Sequence, residues 1–181
     1  MRRLIALALA VGLALIVGRA VAAELPWAAG WDKLTEPLNT STSFVHWSLS
    51  PANPLLTVTY QLNGANPNKL YQVGIHLEGC RKSISGFGQF PALGGPCSAI
   101  TRQGITKTVD AFEFGVVLTD GLGNGRFAVI VGPIAAGTYK LQFTVRNGAG
   151  CNVTGGGGSA VCAIDFQAPS HFGSTITLKV P

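Results

Sequence analysis

From Ser43 onward, apolar and polar side chains alternate with a period of two. This restricts the fold more than any other feature of the chain. Successive side chains of an extended strand point to opposite faces, so such runs read as half-buried β-strands. Val45, Trp47 and Leu49 share a face opposite Phe44, His46 and Ser48. Leu56, Val58, Tyr60 and Leu62 form a second apolar face. Tyr71, Val73, Ile75 and Leu77 form a third, opposite Gln72, Gly74, His76 and Glu78. Further runs are Phe112, Phe114, Val116, Leu118; Phe127, Val129, Val131; Tyr139, Leu141, Phe143, Val145; and Ile176, Leu178, Val180, with a mixed strand from Val161 to Phe166. Turn-forming residues separate them: Asn63-Gly64-Ala65-Asn66-Pro67-Asn68, Asp120-Gly121-Leu122-Gly123-Asn124-Gly125, and Gly132-Pro133 with Ala136-Gly137. Roughly seven to nine short strands without a long helical pattern predict an all-β protein, an antiparallel β-sandwich. One polar face per strand predicts one solvated side to each sheet.

The N-terminus sets the compartment. Arg2 and Arg3 precede an apolar run from Leu4 to Val17, and the segment closes on Val21-Ala22-Ala23. A basic region, an apolar stretch and small residues before the cut read as a secretory signal peptide over residues 1–23. The apolar run is short for a membrane span, which needs ~20 residues. The expectation is a secreted protein, extracellular or periplasmic, free of the membrane after cleavage. Losing Arg2, Arg3 and Arg19 lowers the formal charge from +5 to +2. The remaining basic residues are scattered, with only Arg81-Lys82 adjacent, which argues against a nucleic-acid partner. Residues 24–42 lack periodicity and read as an N-terminal arm, with Trp27 and Trp31 spaced to share one side of a helical turn and pin the arm to the domain. Residues 43–181 make the sandwich domain.

Export makes disulfides the natural state of the four cysteines. Cys80 and Cys97 bracket a glycine- and proline-rich excursion, and Cys151 and Cys162 bracket a second that contains Gly155-Gly156-Gly157-Gly158. Each pair sits at the edges of one loop, so local pairing is expected, giving two disulfides. A bridge closing a loop of this size contributes ~3 kcal/mol in the chain-entropy picture. The crossed pairings, such as Cys80 with Cys151, stay open. Neither pair has the short spacing of a structural zinc site, and C-x-x-C is absent.

Signals for chemistry are sparse. His46 and His76 both fall on polar strand faces and would meet over a metal only if their strands were neighbours; two unrelated surface histidines are the simpler reading. Met1 is the sole methionine, so the usual axial ligand of a blue-copper set is missing. There is no G-x-S-x-G elbow, P-loop or H-E-x-x-H. The oxygen-bearing loop at Asp120 and Asn124 departs from the EF-hand pattern, and a hairpin turn accounts for the same residues. No catalytic residue, metal site or cofactor is expected.

The stretch Gly115 to Phe127, followed by Gly132-Pro133-Ile134 and Gly137-Thr138-Tyr139-Lys140-Leu141, resembles secreted bacterial Ig-like and prealbumin-like modules. In those modules a strand ends in Thr-Asp, a glycine turn leads into an aromatic strand, and Gly-Thr-Tyr opens the next. The resemblance covers about 30 residues and implies an Ig-like sandwich and a surface, adhesive or accessory role. It carries no catalytic residues over. The expected function is therefore an exported, non-catalytic module that binds a cell-surface component, a glycan or a protein. The loops 81–96 and 152–161 would be its recognition surface, with Arg81, Phe87 and Phe90 as the contact side chains. The alternatives are a structural subunit that self-associates through a strand edge or the N-terminal arm, and a secreted metal-dependent or hydrolytic enzyme.

Overall fold

A computed structural model describes residues 21–30, 36–78, 98–102, 105–134, 136–148, 163–170 and 174–181, with backbone alone for 98–102, 105 and 107–110. The described residues are all β, without a helix. The strands are β1 (Val21–Pro26), β2 (Ala28–Ala29), β3 (Phe44–Leu49), β4 (Leu56–Leu62), β5 (Leu70–Glu78), β6 (Ser98–Arg102), β7 (Ile105–Leu118), β8 (Gly125–Val131), β9 (Gly137–Asn147), β10 (Ile164–Ala168) and β11 (Ile176–Val180). They form two antiparallel sheets. The smaller has the order β1-β3-β4-β8; the larger has β2-β10-β9-β5-β7-β6, with β11 on β9. β10 and β11 take successive stretches of β9, at Arg146 to Phe143 and at Leu141 to Gly137.

The two sheets share one apolar core. Val45, Trp47 and Leu49 of β3 and Val58, Tyr60 and Leu62 of β4 face Val73, Ile75 and Leu77 of β5 and Leu141, Phe143 and Val145 of β9. Period-two alternation places these residues inward on strands that pair in register. Tyr60 is the hub. Its ring stacks on Trp27 at 5.8 Å and meets Phe143 edge-on at 6.3 Å. Its hydroxyl crosses the core to donate to the Gly74 carbonyl at 2.8 Å. Burial, and secondarily the charge of Glu113, lifts the Tyr60 hydroxyl well above the ordinary tyrosine value, so it stays protonated and donates.

The count of strands exceeds the seven to nine that alternation suggests. The additional ones include β1 and β2, within the stretch that reads as an arm. β1 lies antiparallel on β3, with Glu24 opposite His46 and Leu25 opposite Val45. The chain then inserts Trp27 into the core, where its indole N–H donates to the Gln61 carbonyl at 3.0 Å. Ala28 and Ala29 cross to the larger sheet and pair with β10. The helical spacing of Trp27 and Trp31 has no helix behind it at Trp27, and Trp31 lies outside the described residues. The segment is strand because the edge of β3 offers backbone partners, which its own side-chain pattern does not announce. β1 also spans the expected cleavage point between Ala23 and Glu24.

A second departure concerns β7. Alternation puts Phe112, Phe114, Val116 and Leu118 on one face. The register with β5 shifts between Val73 and Gly74, so that Val73 opposes Gly115 while Gly74 opposes Glu113. The extra residue, Phe114, packs against the core with its ring edge-on to Tyr60 at 6.4 Å. The bulge reverses the phase: Phe112 and Val117 are buried, whereas Val116 and Leu118 turn outward.

At one end of the two sheets, Glu36 gathers three donors. Lys69 Nζ approaches its Oε1 at 2.7 Å, the Tyr71 hydroxyl donates to Oε2 at 3.0 Å, and Asn66 Nδ2 donates to the same oxygen. The Asp120 loop is a hairpin turn: Asp120 Oδ1 accepts from the backbone N–H of Leu122 and of Asn124, each at 2.8 Å. Gly123, at φ +78°, is required there, since a Cβ would lie 1.9 Å from the Ala65 carbonyl oxygen. These backbone donors hold the exposed Asp120 carboxyl below its ordinary range.

Candidate functional site: a buried polar cluster on the larger sheet

The outer face of the larger sheet is not solvated at its centre. Gln72 and His76 on β5, Glu113 on β7, Gln142 and Thr144 on β9, and Gln167 on β10 are all buried. The register arranges them in cross-strand rows. Arg146 opposes Gln72; Thr144 opposes both Gly74 and Gln167; Gln142 opposes His76. Gly74 opposes Glu113, which completes a row across β10, β9, β5 and β7. A polar group taken from water is costly unless it finds partners, so the pairing within this cluster decides what it does.

Arg146 is the centre. Its Nε donates to Glu113 Oε1 at 3.0 Å, and its Nη2 lies 2.9 Å from His76 Nε2. A guanidinium only donates, so His76 Nε2 is the acceptor and the imidazole proton resides on Nδ1. Burial, and then the Arg146 charge, hold His76 well below the ordinary histidine value. Glu113 is displaced the other way. Burial raises its carboxyl, while Arg146 and the Gln72 side chain pull against that rise. The approach of Arg146 to Glu113 runs past Gly74. A Cβ at Gly74 would stand 2.0 Å from the Phe112 carbonyl oxygen and 2.7 Å from Glu113 Oε2. Glycine is the residue that leaves room for the pair.

Three oxygens along the row, Glu113 Oε2, Thr144 Oγ1 and Gln167 Oε1, are buried without a hydrogen-bond partner among the described residues. Chemically the cluster holds a neutral imidazole, a buried carboxyl and a fixed cation. Arg146 occupies the His76 lone pair and one oxygen of Glu113, so the imidazole does not act as a base until Arg146 moves, whereas the second carboxyl oxygen of Glu113 is left open. Among the described residues, no group of three or more His, Cys, Asp or Glu is placed to hold a metal ion.

Towards the end of the same face, the polar rows give way to aliphatic side chains. Leu70 and Leu118 oppose one another directly, and Val116 opposes Gln72. All three are exposed, Leu118 at 64% and Leu70 at 44%. Leu122, 78% exposed, stands in the hairpin that follows Leu118.

His46 and His76 are not brought together. His46 lies on β3 of the smaller sheet and His76 on β5 of the larger. His76 is not a surface residue: residues on both faces of β5 are buried along most of its length, His76 among them. The four cysteines, Cys80, Cys97, Cys151 and Cys162, and the expected contact residues Arg81, Phe87 and Phe90 lie outside the described residues. Sequence reasoning does not single out Glu113 or Arg146. A usable signal is present on β9, where the polar face runs Lys140, Gln142, Thr144, Arg146: uncharged residues replace charged ones in the middle of the strand. Gly74 between Gln72 and His76 is a second signal. No protein-family model, no curated protein and no solved structure matches this chain.

Proposed function

We propose that this chain is an exported, non-catalytic binding module on an Ig-like sandwich, with its two glycine-rich loops tied by Cys80–Cys97 and Cys151–Cys162 disulfides, and that its partner at the cell surface is a protein. The observation that carries the reading is the exposed aliphatic strip of Leu70, Val116 and Leu118 on the larger sheet. Contiguous apolar surface on an otherwise polar protein marks an interaction site. Among the described residues every exposed large hydrophobic is aliphatic. Glycans are gripped by stacking sugar rings on exposed aromatic faces, whereas aliphatic strips suit the apolar side chains of a protein. The engagement of the His76 lone pair by Arg146 supports a non-catalytic role.

The test is retention of the purified protein on cell envelopes of the source organism, with and without protease treatment of the envelopes. Retention is expected on untreated envelopes only, and the Leu70→Lys/Leu118→Lys double variant should lose it. Retention that survives proteolysis and is competed by free glycan would overturn the protein-partner reading.

A specific observation favours assembly as a second reading. Among the described residues strand β8 is an edge of the smaller sheet, Arg126 is its one charged residue, and Ile130 is 67% exposed. Native edges are usually blunted by charge or proline, because an open one templates pairing with another chain. Light scattering separates the two readings: a monomer at all concentrations removes self-assembly, and a dimer dispersed by Ile130→Lys supports it.

A further inference from the structure

Strand β1 straddles the bond at which the export reading cuts the chain. Val21, Ala22 and Ala23 stand before that bond and Glu24, Leu25 and Pro26 after it, and all six pair antiparallel with β3, from Leu49 back to Phe44. The peptidase that removes a signal reads small side chains just before the cut. Here they are Ala23 and, two residues earlier, Val21. Alternate residues of a strand share a face, so Val21 and Ala23 lie on the face of Leu25. Ala23 and Leu25 both pack against the apolar core. The residues opposite Ala23 and Val21 are Trp47 and Leu49, both buried. The recognition face of the cut is therefore the face that β1 turns towards the sandwich.

An extended segment is gripped through its free backbone, with pockets for alternate side chains. In the folded domain β3 holds that backbone and the core holds Ala23. We infer that the domain guards its own signal cut: the Ala23–Glu24 bond is hydrolysed only while β1 is off β3. Hydrolysis adds one water across the amide and leaves a carboxylate on Ala23 and an ammonium group on Glu24. A chain cut before it folds becomes the form that begins at Glu24. A chain that folds first keeps residues 1–23, and with them the apolar run from Leu4 to Val17. The guard rests on the export reading and adds an order of events to it. Leu25 and Trp27 give it strength. Both pack in or against the core just past the cut, and the Trp27 indole N–H donates to the Gln61 carbonyl at 3.0 Å. Exposing the bond means lifting an anchored segment rather than a loose end. Proteolysis through an opened state follows the population of that state, and for a strand anchored in this way about one molecule in 100 is open.

Three substrates with the same cleavage sequence test it. Each is incubated in detergent with purified signal peptidase, and the product that begins at Glu24 is followed by mass spectrometry. The first is the folded full-length chain. The second is a peptide of residues 1–42, which carries the cut and lacks β3. The third is the full-length chain with a glycine–serine linker of about 12 residues between Glu24 and Leu25, flexible enough to carry the bond away from β3. The linker leaves Leu25, Trp27 and everything after them in place. The peptide and the linker variant should be cut at similar rates, and the folded wild type about 100-fold more slowly. A folded wild type cut as fast as the peptide overturns the guard. A linker variant as slow as the wild type also overturns it, since something other than β3 would then shield the bond. A peptide left uncut at Ala23–Glu24 overturns the export reading itself, and the guard with it. Should the linker variant lose its β circular dichroism, amide hydrogen exchange of the wild type decides. Protection of alternate amides from Ala22 to Leu25, together with slow cutting, upholds the guard; free exchange across them overturns it.

Discussion

Replacing Trp27 by alanine measures whether the N-terminal segment is an appendage or part of the core. The indole is 3% exposed, stacks on Tyr60 with an interplanar angle of 19°, and donates to the Gln61 carbonyl. Truncating a buried tryptophan costs about 3–5 kcal/mol, which covers lost burial and the cavity left behind. The orphaned Gln61 carbonyl adds about 1 kcal/mol if water does not reach it. For a domain of this size the urea dependence is about 2 kcal/mol per molar, so a loss near 4 kcal/mol lowers the unfolding midpoint by about 2 M. Trp27→Phe keeps a ring against Tyr60 and loses the indole donor, so its midpoint should fall by about 0.5–1 M. Equilibrium urea unfolding followed by circular dichroism reads both. The whole domain should unfold in one transition at the lowered midpoint, because Trp27 shares the hub that joins the sheets. A main midpoint moved by less than about 0.5 M, with an early separate step for the N-terminus, would refute the placement of Trp27 in the common core.

Three further outcomes follow from the polar cluster and its supports. Gly74→Ala places a methyl 2.0 Å from the Phe112 carbonyl oxygen, so backbone must shift, and urea unfolding should show a loss of about 2–3 kcal/mol; an unchanged midpoint would show that the strands separate freely there. Tyr60→Phe removes the donor to the Gly74 carbonyl and should cost about 1–1.5 kcal/mol by the same assay, whereas a neutral effect would mean the hydrogen bond contributes nothing net. Glu113 has a raised folded value, so its contribution is complete below 4.5, the unfolded value, and is lost as pH rises through the folded one. Glu113→Gln should therefore gain stability relative to the wild type as the pH is taken from 4.5 to about 8, and a difference flat across that range would count against a raised carboxyl.

What the sequence made legible depended on whether a residue's placement was decided by its own strand or by its neighbours. β3, β4 and β11 were readable because apolar and polar positions alternate without interruption. β1 and β2 were not, since Ala22, Ala23, Ala28 and Ala29 become strand only by lying against β3 and β10. The four apolar residues Phe112 to Leu118 looked like one face, and no residue among them marks the bulge at Phe114 that sends Val116 and Leu118 outward. The same distinction governs the site. His76 was visible as a polar residue on a strand face, but its burial on that face is encoded by no local pattern on β5. Gly74 is the exception. Its missing side chain is a local fact, and it sits where the Arg146–Glu113 pair has to pass β5. A glycine inside an otherwise strong strand pattern is therefore a local signal for the gap, one that the alternation reading passed over, while the groups that fill it are contributed by strands far along the chain and became identifiable only once the register of three strands was in place.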